Sequence, residues 1–74
     1  MLYSRPRCGL CDQARAIILA ELTRTPFEFE EVNVETEDAL ELLYGVRVPV
    51  VTVDGEERFE IVVEPVAFAA LVRA

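Results

Sequence analysis

The chain has 74 residues, 53% hydrophobic and 28% charged, with only three Gly and four Pro. That composition fits one globular domain over residues 1–74 and excludes disorder, collagen-like repeats and flexible linkers. A net charge of −7 excludes nucleic acid and anionic membrane as expected partners, because both repel an acidic surface.

Leu2-Tyr3-Ser4 is a short apolar start closed by Pro6, which reads as a buried first strand. From Gly9 to Leu22 the chain is rich in Ala, Ile and Leu and free of internal Gly and Pro, the pattern of a mostly buried helix. Thr23-Arg24-Thr25-Pro26 breaks it. Phe27, Phe29, Val32 and Val34 follow as a strand whose alternation slips by one between Phe29 and Val32, through a bulge or an early strand end. Thr36-Glu37-Asp38 opens a second helix, with Ala39, Leu40, Leu42 and Leu43 inside it and Gly45 at its end.

The run Val46-Arg47-Val48-Pro49-Val50-Val51-Thr52-Val53 is strongly β-branched and predicts a central strand buried on both faces. Asp54-Gly55 is a hairpin turn, with Arg58–Ile61 as the return strand. Glu64-Pro65 opens a last helix, in which Val66, Phe68, Ala69, Ala70, Leu71 and Val72 are available to pack. The order β-α-β-α-β-β-α makes the first pair parallel with a right-handed crossover and the last pair antiparallel. The expected fold is α/β: a four-stranded mixed sheet with helices on both faces.

Charge and chemistry concentrate at the same end. Residues 1–25 carry a net of +2 and residues 26–74 a net of −9. His is absent, which removes the usual general base and the commonest zinc ligand. The two cysteines stand three apart in Cys8-Gly9-Leu10-Cys11, after the first strand and at the start of the first helix. There the unpaired N–H groups and dipole of the helix favour a thiolate at Cys8, and Arg5 and Arg7 are expected to add positive charge. Cys8 would attack a disulfide and Cys11, one turn on, would resolve the mixed disulfide. The alternatives are two buried thiols without a role, a zinc site needing ligands from elsewhere, or a structural disulfide closing a very short loop.

Pro49 is a misfit in a central strand, since it removes a ladder donor. A cis Val48–Pro49 bond at the strand's start resolves the misfit, as does a trans Pro on an edge or at the first position.

Taken together, the element order, the dithiol at the first helix and the Val-Pro at the third strand resemble the glutaredoxin branch of the thioredoxin fold. Tyr3-Ser4-Arg5-Pro6-Arg7-Cys8-Gly9-Leu10-Cys11 is similar to the family's dithiol segment, and Gly45-Val46-Arg47-Val48-Pro49-Val50 to its cis-proline segment. The resemblance spans essentially the whole chain and lies nearest the small bacterial glutaredoxin-like proteins. It implies thiol–disulfide exchange with Cys8 as nucleophile and Cys11 as resolving thiol. Arg5, Gly9, Leu10, Val48 and Pro49 would then contact substrate, Pro49 as the cis-proline and Arg5 at the place of a residue that contacts a glutathione carboxylate.

The chain departs from the family in having Gly9-Leu10 where Pro-Tyr is usual, and in having no glycine in Phe59–Glu64. The expected substrates are therefore protein disulfides or glutathione disulfide. Glutathione as co-substrate, or a thioredoxin-type reductase, would regenerate the dithiol. The expectation is a cytoplasmic monomer with no tightly bound cofactor, since no apolar run approaches the roughly 18 residues of a membrane span and no signal-peptide core opens the chain. A module binding a [2Fe–2S] cluster with glutathione, or a redox-regulated interaction domain without turnover, are the competing readings.

Overall fold

A computed structural model describes residues 1–73. The elements are β1 (Leu2–Ser4), α1 (Gly9–Leu22), β2 (Glu31–Asn33), α2 (Asp38–Tyr44), β3 (Val50–Val53), β4 (Glu56–Glu60) and α3 (Pro65–Arg73), with a 3-10 turn at Val34–Thr36. The sheet order is β2-β1-β3-β4, with β1 parallel to β2 and antiparallel to β3, and β3 antiparallel to β4. This is the expected mixed sheet in the expected chain order.

The alternation along β1 divides the molecule. Leu2 faces the main core, where it meets Ala14 and Ile18 of α1, Val51 of β3, and Val63 and Phe68 near the C-terminus. Tyr3 faces the other way and stacks on Tyr44 of α2, ring centroids 4.2 Å apart. Helices therefore cover both faces, but unequally. α2 buries none of its residues, and its Leu42 and Leu43 lie in solvent.

Several segments differ from the sequence pattern. The buried residues of α1 are Cys11, Ala14, Ile18 and Glu21, a single stripe at three- and four-residue spacing, so the helix is amphipathic rather than mostly buried. β2 keeps only three residues. Phe27 and Phe29 pack on the core without a ladder, Phe27 edge-on to Phe68 at 5.8 Å, and Val34 is buried from the 3-10 turn. The slip in alternation is thus an aromatic approach segment followed by a short strand. β3 begins at Val50, leaving Val46–Pro49 as a loop, while β4 starts at Glu56 and carries Arg58 as an extra residue opposite Val51/Thr52. Asp54 and Gly55 both have positive φ, as the tight turn between strands of right-handed twist requires. On α3, Phe68 is buried and Val66 is exposed.

Two carboxylates tie elements together. Glu21, buried at the end of α1, accepts from Arg73 Nε of α3 at 2.8 Å and from the Thr25 hydroxyl. Glu31 of β2 accepts from Arg15 of α1 and from the Ser4 hydroxyl of β1. Those hydrogen bonds, Arg15's first, hold the Glu31 carboxyl below its ordinary range. Among the described residues, no helix is long and apolar enough to cross a membrane.

Truncating Phe68 to Ala is expected to cost about 3–5 kcal/mol in urea unfolding, whereas Val66→Ala on the same helix should stay within about 0.5 kcal/mol. The lowered Glu31 value gives a sign as well. Its contribution is fully present above the unfolded pKa of about 4.3 and is lost as pH falls through the folded value. Acid unfolding of Arg15→Gln should therefore begin at higher pH than that of the native chain.

Candidate functional site

β1 ends at Ser4, and four residues later Cys8 caps α1 with extended backbone, φ −120° and ψ 105°. The chain makes that turn through Arg7, whose φ is 57°, a left-handed conformation uncommon outside Gly. The turn aims the start of α1 at the Cys8 sulfur. The Cys11 N–H donates to Cys8 Sγ at 3.1 Å, and the Asp12 N–H closes the first helical turn on the Cys8 carbonyl at 3.0 Å. Cys8 and Cys11 are joined as a disulfide with their Cα atoms 5.2 Å apart. Their exposure differs: Cys8 is half-buried, whereas Cys11 is completely buried. Gly9 and Leu10 are exposed between them.

The sheet brings the second segment to the same end. Tyr3 pairs with Val50 and Leu2 with Val51, so the loop that closes at Pro49 enters the sheet at the end of β1 from which the dithiol turn departs. The Val48–Pro49 bond is cis, and Pro49 is buried. On the β4 side, the Ile61 N–H donates to the Pro49 carbonyl at 2.9 Å and to the Arg47 carbonyl at 3.3 Å. Val48 lies in the loop before β3, outside the ladder. Among the described residues its N–H and C=O have no backbone partner.

Arg5 is occupied elsewhere. Its guanidinium bonds Glu35 of the 3-10 turn, Glu41 of α2 and the Gly45 carbonyl, which pins α2 to the end of β1. The positive charge expected beside Cys8 is therefore engaged by two carboxylates. Arg7 has no ion-pair partner among the described residues. Arg47 repeats the motif on the other side of the loop. It bonds Glu57 and Glu60 of β4, reaches back to the Leu43 carbonyl, and lies 5.5 Å from the centre of the Tyr44 ring. Its hydrogen bond holds the Glu57 carboxyl below the ordinary range.

Glu35, Glu41, Tyr44 and Arg47 are site-framing residues that sequence pattern alone does not single out, because their partners are distant in the chain. Among the described residues, no three His, Cys, Asp or Glu side chains gather as a metal site.

Residues 1–73 match the glutaredoxin-like domain family (DUF836). The chain belongs to that glutaredoxin-like family. The X-ray structure of Northeast Structural Genomics target protein XcR50 from X. campestris has the same fold, with a TM-score of 0.76. It is 33% identical in sequence, over 93% of this chain and 88% of that one. A search of curated proteins finds no match. The glutaredoxin-like assignment and the thioredoxin-like fold thus agree with the paired cysteines at the start of α1.

Gly45 is where this glutaredoxin-like chain tolerates no side chain. A Cβ there would overlap both the carboxylate and the carbonyl oxygen of Glu41. Gly45→Ala is expected to push Glu41 off Arg5 and to destabilise the fold by about 1–3 kcal/mol. Denaturant unfolding measures the cost; no loss would show that the Arg5 cluster does not hold α2.

Proposed function

We propose that this chain is a dithiol thiol–disulfide oxidoreductase in which Cys8 attacks and Cys11 resolves. The observation that carries it is the Cys8 sulfur at the N-terminus of α1, half-exposed and accepting the Cys11 N–H at 3.1 Å. A donor aimed at that atom stabilises a thiolate more than a thiol, and the dipole of a fourteen-residue helix adds to it. The burial of Cys11 fits a thiol that meets no substrate directly and reaches only its neighbour.

In the reduced protein, the Cys8 thiolate forms a bond to one substrate sulfur while the substrate disulfide breaks, and the departing sulfur takes a proton. Cys11, losing its proton, then attacks Cys8 Sγ and expels the second substrate sulfur. Two thiols of the protein are oxidised to one disulfide and one substrate disulfide is reduced to two thiols. The free N–H and C=O of Val48 support an extended substrate backbone docked as an added strand beside the dithiol. Glutathione or a thioredoxin-type reductase would return the dithiol to its reduced state, and a reducing compartment such as the cytoplasm suits that cycle.

Cys11→Ser should accumulate mixed disulfides on Cys8, because attack survives and resolution does not. Cys8→Ser should lose exchange altogether. Non-reducing electrophoresis with mass spectrometry checks both, and exchange persisting without Cys8 would remove the reading.

A further inference from the structure

Segments at the dithiol end of the sheet leave apolar side chains in water. Leu10, between the cysteines, is 41% exposed; Val46, in the loop before Pro49, is 95% exposed; Val62, just after β4, is 63% exposed. The Ile61 hydrogen bonds to Pro49 and Arg47 seat the Ile61–Val62 segment against that same loop. Exposed apolar side chains on segments that share one end of a sheet are candidates for an interaction surface.

Charge narrows the occupant. Arg5 is shared by Glu35 and Glu41, and Arg47 by Glu57 and Glu60, so each trio carries a net −1. One trio holds the Gly45 carbonyl just before Val46, and the other includes Arg47 within the loop. A substrate lying along Val48 thus meets a loop held by two acidic trios whose guanidinium groups are already engaged. Positive side chains are favoured there and carboxylates are repelled. Arg7 is the exception, a cation next to Cys8 itself.

Resting on the dithiol reading above, we propose that the preferred substrate is a disulfide in an extended polypeptide segment flanked by apolar and basic residues. Glutathione disulfide, which offers carboxylates and no apolar side chain, is the disfavoured substrate. The chemical step is the balanced exchange already described, with the reduced protein as electron donor.

Single turnovers of pre-reduced native protein test this. The substrates are a disulfide-linked dimer of a blocked Leu-Lys-Cys-Val-Lys peptide, the matching dimer of Gly-Glu-Cys-Gly-Glu, glutathione disulfide, and neutral hydroxyethyl disulfide as the reference. The basic apolar peptide should react at least about tenfold faster than the acidic peptide and glutathione disulfide. That margin should narrow at 1 M salt, where the screening length falls to about 3 Å. Glu57→Gln combined with Glu60→Gln should lower the basic-to-acidic ratio, and Val62→Ser should slow the basic apolar peptide more than hydroxyethyl disulfide. Equal rates for the peptides, or a faster reaction with glutathione disulfide, would overturn the proposal while leaving the dithiol reading intact. Failure to reduce hydroxyethyl disulfide would overturn the dithiol reading itself.

Discussion

The three residues of β1 carry the rest of the structure. β1 pairs on one side with β2 and on the other with β3, so its end is fixed from both flanks. Its inward residue Leu2 anchors the core shared by α1 and α3, and its outward residue Tyr3 holds α2 through the stacked ring of Tyr44. Because β1 is a central strand, the short turn that follows delivers the start of α1 to that end of the sheet. The Val48–Pro49 loop leads into β3 at the same end, because Val50 pairs with Tyr3. The dithiol turn and this loop lie at one end of the sheet because both are tied to β1.

Much of this was legible from residue pattern. The bounds of α1 follow from Cys8 before the helix and Thr23-Arg24-Thr25-Pro26 after it, and the Asp54-Gly55 turn follows from the positive φ that the pair accepts. The dithiol was legible because two cysteines at helical spacing after a strand have few other uses. What pattern misjudged were lengths and faces. The β-branched run from Val46 reads as strand, yet the ladder starts only at Val50, after the cis Val48–Pro49 bond. Phe27 and Phe29 alternate like a strand because they pack on one core, not because they pair. Leu42 and Leu43 look like core residues on a helix that is held by its Tyr44 ring and by Arg5 rather than by buried leucines.

Arg5 shows why charged residues are the hardest to place. Sequence proximity puts it near Cys8, whereas its guanidinium reaches Glu35 and Glu41, far along the chain but adjacent once α2 folds over β1. Exposed pairs of this kind contribute little each. Here they matter for position: Arg5 and Arg47 grip the two sides of the loop before β3, and the engaged guanidinium groups leave an acidic surround on an already acidic chain.

The central claim is that Cys8, and not Cys11, is the reactive thiolate at the start of α1. It is tested most directly by timed alkylation of the fully reduced protein across pH 5–9, with each cysteine followed by peptide mass spectrometry. The account predicts that Cys8 reacts with a midpoint well below the ordinary thiol value of about 8.5, while Cys11 stays slow throughout. Alkylation of Cys11 ahead of Cys8 at pH 6 would contradict it.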